Sequence, residues 1–164
     1  MAQFACQADH DWVGIQSGIM DQMISALGKK NHALLIDCRT LDFNSLPLPQ
    51  TSSVIVLDTA TRRGLVDSAY NERVAQCLTA AEALGIPSLR DITLDDFHAK
   101  ANQLNELIQK RARHVISEND RTLKAAKALQ NGDVVAFGQL MSTSHASLRD
   151  NYEVSSPELN IMVE

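Results

Sequence analysis

The alternation of apolar and polar residues changes character twice along this chain of 164 residues. In the first stretch Phe4, Ala5 and Ala8 recur at helical spacing and predict a helix over about Ala2 to Asp9. "MAQFACQADHDW" reads as the middle of an amphipathic helix rather than as a natural beginning. "WVGIQSG" follows as a glycine-containing loop. Ser17 is placed to cap a second helix, in which Met20, Met23, Ile24 and Leu27 stand three and four residues apart, and Gly28 stops it.

The period then falls to two. "HALLIDCR" reads as a strand, and a second extended piece runs from about Leu41 to Leu48, where Pro47 and Pro49 mark an edge or an exit. "SSVIVLDTA" is the strongest strand signal, rich in β-branched residues and bounded by polar turns. No helical crossover fits between the three, so they predict an antiparallel meander.

From Gly64 the period lengthens to about 3.6. Val66, Tyr70, Val74, Cys77, Ala81 and Leu84 form one face of a long helix that Gly85 and Pro87 end. "ITLDDFHAKA" predicts a helix capped by Thr93, with an acidic first turn. Leu104, Leu107, Ile108, Val115 and Ile116 mark the next. Helices follow over about Asp120 to Gln130 and Asp133 to Ser147, divided by Asn131-Gly132, and Pro157 opens a last one. The fold class is therefore α+β, a short antiparallel sheet followed by a mostly helical segment, with the change near Ala60.

Composition narrows the class. The chain is 45% hydrophobic and 21% charged, the balance of a globular protein with a real core, and aromatics at 4% make that core aliphatic. A net charge of -5 gives no attraction to nucleic acid or acidic membranes. Cys6, Cys38 and Cys77 are scattered without CxxC spacing, which suits buried thiols in a reducing cytoplasm. No apolar run reaches the roughly 18 residues of a membrane span, and no export signal opens the chain.

Candidate chemistry is sparse. GxxxxGK[ST], GxGxxG, HExxH and GxSxG stretches are all absent. The five histidines stand alone, in surface or core-satisfying roles; His145, near "SLRDNYEVSS", reads as a helix-face residue. Asp21 falls in a first helical turn just past Gly18, where a tight backbone allows close approach of a ligand. There a carboxylate could orient or deprotonate a hydroxyl, or serve only the helix dipole. Asp37, after three apolar strand residues, needs partners, and Arg39 on the same face is one. Tyr70 reads as core by pattern, with a hydroxyl that wants a polar neighbour. Arg62-Arg63 reads as a solvated pair at a helix start.

Several of these stretches together resemble the galactokinases of the GHMP small-molecule kinase superfamily. "GIMDQMISALGKKNHALLIDCR" is the longest; "SAYNERVAQC", "LRDIT", "KRARHVISEN" and "MSTSHASLRDNYEVSSPEL" follow in the same order and at similar spacing. The resemblance covers essentially the whole chain. It implies ATP-dependent phosphorylation of the galactose C1 hydroxyl, with Asp21, in G-I-M-D-Q, as the active-site acid. Gly18 matches a backbone sugar contact, and Tyr70 the tyrosine that lies against the sugar. Ser17 stands where cysteine is common, Ala69 where glutamate is, and Val74 where a second arginine is. ATP and Mg2+ are the implied cofactors, but the sugar-binding N-terminal signature, the phosphate-cradling loop and the late glycine-rich motif are not in this sequence. The chain is thus expected to be the middle of a galactokinase: residues 1–60 end its N-terminal lobe, and residues 61–164 form the helical part of its C-terminal lobe. Alone it is expected to be inactive and to self-associate through uncovered apolar faces. N-acetylgalactosamine kinase is the rival substrate reading, although "GIMDQ" and "LIDCR" lean towards galactose. A galactokinase-like sugar sensor and a ligand-free helical interaction domain are the non-enzymatic alternatives.

Overall fold

The structure, a computed structural model, describes residues 1–14, 17–60 and 67–163, with the side chains of residues 67–69 excepted. It divides into two compact units, one of Met1–Val54 with Ala126–Val134, the other of Ile55–Ala125 with Val135–Glu164.

In the first unit α1 (Ala2–Ala8) continues directly into a π-helical turn, Asp9–Val13, which Gly14 ends at φ 78°. Trp12 and Val13, read from sequence as loop, therefore belong to this helical run. Helix α2 spans Met20–Leu27, with Met23 buried. Gly28 stops it, but not by the left-handed turn usual after a helix: its φ and ψ are -58° and 139°. Its need for glycine is steric, since a Cβ there would stand 2.5 Å from the Ile24 carbonyl oxygen.

Strands β1 (His32–Ile36) and β2 (Phe43–Pro47) pair antiparallel, His32 opposite Pro47 and Ile36 opposite Phe43. The Asp37–Asp42 loop closes the hairpin, with the Asp37 N–H bonded to the Asp42 carbonyl at 2.9 Å. The three-stranded meander is not formed. The sheet has two strands, and the "SSVIVLDTA" run forms no strand among the described residues, with Val54 78%, Ile55 77% and Val56 88% exposed. β-branched composition describes a residue that fits a pleated surface, and without a neighbouring edge it does not make a strand.

The second unit is helical. Helix α3 (Asp67–Ala83) presents Cys77, Ala80 and Ala81, with Leu84 just past its end, to a core that takes Leu89 from a 3-10 turn and Phe97 from α4 (Leu94–Lys100). Leu104, Ile108, Ala112 and Ile116, each four residues after the last, complete it from the approach to and body of α5 (Glu106–Gln130). The N-terminal half of α3 departs from the expected apolar face: Tyr70 is 41% exposed and Gln76 is buried. Gly64, Val66 and the Arg62-Arg63 pair lie outside the described residues. Thr93 caps α4 as expected, its hydroxyl accepting the Asp96 N–H at 3.1 Å. Gly85, at φ 67°, ends α3 with Ile86 N–H returning to the Ala81 carbonyl at 3.0 Å.

The two helices expected between Leu104 and Gln130 are one, α5, of 25 residues. No glycine or proline interrupts it, and Glu118–Arg121 and Asp120–Lys124 pairs bridge its middle turns. Gly132, at φ 69°, makes the real break before α6 (Val134–Ser147). A second π-helical turn, Leu148–Tyr152, ends at Glu153 with φ 56°, and α7 spans Pro157–Val163. The architecture is α+β, a small antiparallel sheet and a predominantly helical remainder, in agreement with the sequence.

Candidate functional site

Asp21 is the second residue of α2, where the unpaired N–H groups of the first turn favour a negative charge. Its side chain is exposed and, among the described residues, has no hydrogen-bond or ion-pair partner. It forms the acidic edge of a shallow concavity of about 360 Å³ whose other walls, from α1 and α2, include Ala2, Ala5, Ser25 and Ala26. A carboxylate so placed is reachable and uncommitted. Gly18, three residues earlier, faces open space, with nothing within 4 Å of the position a Cβ would take.

What holds this opening is a set of contacts from the α1 run. The His10 Nε2–H donates to the Ser17 carbonyl at 2.8 Å, and the Cys6 thiol reaches the same oxygen at 3.8 Å. Gln22, next to Asp21, donates to the Asp9 carboxylate at 2.6 Å and ties α2 to the first π-helical turn. Ser17 does not cap α2. The cap position is Ile19, no side chain serves it, and the Ser17 hydroxyl is buried without a partner. Ser17 lies two residues too early for its oxygen to reach the first turn, so its carbonyl rather than its hydroxyl is engaged.

Asp37 stands just past the end of β1 rather than inside it. Its carboxylate accepts the backbone N–H groups of Arg39 at 2.8 Å and Thr40 at 3.2 Å, which makes it the anchor of the hairpin loop. The cysteines are free; Cys38 is exposed rather than buried, since it falls in this loop.

Tyr70 belongs to the other unit, exposed on α3. Around the base of that helix lies a polar network invisible to periodicity. Arg111 of α5, 2% exposed, donates to the Gln76 side chain at 3.1 Å, to the Asn151 carbonyl at 2.5 Å and to the Glu153 carboxylate at 2.7 Å. Arg73 donates to the Tyr152 carbonyl at 2.8 Å and the Glu153 carbonyl at 3.3 Å. Two guanidinium groups thus hold the end of the second π-helical turn. The bonds from Arg111 keep the Glu153 carboxyl below its ordinary range, while burial pushes the Tyr152 phenol and the Cys77 thiol up. His114, Ser147 and Tyr152 complete the network. These partners lie 33 to 80 residues apart in the chain, and no local spacing signals them.

His145 is half-buried on α6 and its Nε2 has no partner; it lies in a groove with Glu118, Arg121 and Leu148. Among the described residues no group of three or more His, Cys, Asp or Glu side chains could hold a metal ion. Among the described residues no helix is long and apolar enough to cross a membrane.

No protein-family model matches the chain. Among solved structures it is similar to Lactococcus lactis galactokinase complexed with galactose, at 35% sequence identity and a TM-score of 0.87. The match takes in 97% of this chain and 42% of that one, so the chain spans less than half of that relative's length. Over nearly its whole length it is built as a stretch of a galactokinase is, in the α+β fold of the GHMP kinases, and the resemblance carried by its motifs is one of structure as well as of sequence.

Proposed function

We propose that this chain supplies the sugar-facing acid of an ATP-dependent galactokinase, which phosphorylates the C1 hydroxyl of galactose. The observation that carries this reading is the exposed, unpartnered Asp21 carboxylate beside Gly18, in a chain similar to a galactokinase whose crystal structure contains galactose. An aspartate without an internal partner is free to accept a hydroxyl proton or to steady the attacking oxygen. In this reading the Gly18 backbone meets the sugar, with no side chain to keep it away, and Tyr70 lays its ring against the sugar face. ATP with Mg2+ supplies the phosphoryl group, held by motifs that are not in this sequence.

Most of the catalysis in phosphoryl transfer is positioning and charge stabilisation around the phosphates. Asp21 cannot provide that, so the chain alone is inactive as a kinase. The test is Asp21→Asn in the assembled enzyme. Loss of a general base lowers turnover by about 100-fold or more, with the melting temperature unchanged. Retention of most activity in that variant removes the reading, and ordinary turnover by the isolated chain removes its second part.

A further inference from the structure

We infer that His10 is a positioning residue: by holding the Ser17 carbonyl it sets the direction of the Gly18 N–H. The inference rests on the galactokinase reading only for what that N–H meets. The Ser17–Gly18 peptide is trans and planar, so its carbonyl oxygen and its N–H point to opposite sides. The carbonyl is engaged from the α1 side by the His10 Nε2–H at 2.8 Å, with the Cys6 thiol at 3.8 Å on the same oxygen. A carbonyl can only accept, so Nε2 carries the proton in this contact.

With the oxygen held, the peptide plane cannot turn about its neighbouring bonds, and the N–H is presented on the far side. Gly18 itself is exposed, and nothing lies within 4 Å of where a side chain on it would begin. A held backbone donor on an exposed glycine three residues before a free carboxylate is a ready contact for a neutral hydroxyl-bearing ligand, here a sugar oxygen. The bond is also independent of α2, because neither end of it belongs to that helix. His10 can therefore be changed without touching Asp21.

Labelling the glycines of the chain with 15N gives at most seven amide signals, one of them from Gly18. His10→Phe, which keeps a ring but removes the donor, is expected to shift and broaden the Gly18 signal while the other glycines stay in place. His10→Gln, which restores an N–H at similar reach, is expected to return it. His10→Ala leaves the same gap without a bulky ring and serves if the Phe variant does not fold. In the assembled enzyme, loss of the donor is expected to raise KM for galactose by about 3- to 10-fold with kcat within about 2-fold. An unmoved Gly18 signal in His10→Phe and His10→Ala overturns the inference, as does equal loss of sugar affinity in the Phe and Gln variants. Failure of the kinase reading has a different mark: activity that survives Asp21→Asn, whatever Gly18 does.

Discussion

The rings of His114 and Tyr152 lie nearly face to face, with centroids 4.4 Å apart and planes inclined by 25°. The stack joins α5 to the second π-helical turn, and the His114 Nδ1 meets the Ser147 hydroxyl at 2.9 Å on its far edge. With 5% of its surface exposed, the imidazole is held neutral: burial, and secondly the charge of Arg121, lower its pKa from 6.5 to about 4. The unfolded chain therefore binds a proton between pH 6.5 and pH 4 that the folded chain refuses. The stability this group contributes is fully present above pH 6.5 and is lost as pH falls through that window, on the order of 3 kcal/mol at about 1.4 kcal/mol per unit. Urea unfolding at a series of pH values should show this slope, and His114→Gln should flatten it. Glu153, whose pKa is lowered from 4.5, contributes as pH falls through that value and below, so the upper part of the window belongs to His114.

Arg111 gives a second test. Its three bonds end on the Gln76 oxygen, which Arg73 also reaches at 3.2 Å, on the Asn151 carbonyl and on the Glu153 carboxylate. Arg111→Ala is expected to cost about 2–4 kcal/mol, mostly from the lost bond to the Asn151 carbonyl and the lost packing of a buried side chain. Arg111→Lys keeps the charge but not the fork, and should recover no more than about half of that. Glu153→Ala, which removes only the half-exposed partner, should cost clearly less than Arg111→Ala. Thermal melts of the three rank them, and a loss in Glu153→Ala equal to that in Arg111→Ala would show the ion pair, not the buried fork, to be the support.

Two glycines with negative or unstrained backbone make a matched pair. At Gly28 a Cβ would meet the Ile24 carbonyl oxygen, a backbone atom that cannot move aside without unwinding the end of α2. Gly28→Ala should therefore lower stability by about 1–3 kcal/mol. Gly138, in the interior of α6, has nothing within 4 Å of the same position. There Ala restores helix propensity and should add about 0.5–1 kcal/mol. Opposite shifts in melting temperature are the expected result.

What could be read from the sequence follows from the range of the forces involved. Thr93 capping α4, Gly85 ending α3 and the four-residue ladder from Leu104 to Ile116 are local, and the chain announces them. So are the motifs around Gly18 and Asp21. Whether a run pairs as a strand is not local, and residues 52–60 read as the best strand in the chain while finding no edge among the described residues. Tyr70 had the spacing of a core residue because its helix is buried only further along, from Cys77 to Leu84. The His10–Ser17 bond and the Arg111 fork depend on tertiary approach, and nothing in residue spacing discloses them.

That unpaired run yields the last prediction. Val54, Ile55, Val56 and Leu57 expose between 60% and 88% of their surface on a backbone that joins no strand among the described residues. Such a segment is both an apolar patch and an open hydrogen-bonding edge, and each favours pairing with another chain. Sedimentation of the isolated chain should show self-association growing across roughly the micromolar to millimolar range. Val56 is the most exposed of the four, so Val56→Lys removes little internal packing while placing a charge that a second strand would have to bury. It should therefore reduce association without lowering the melting temperature. A wild-type chain that stays monomeric, or a lysine variant that associates as strongly, would mean that the run is satisfied in some other way.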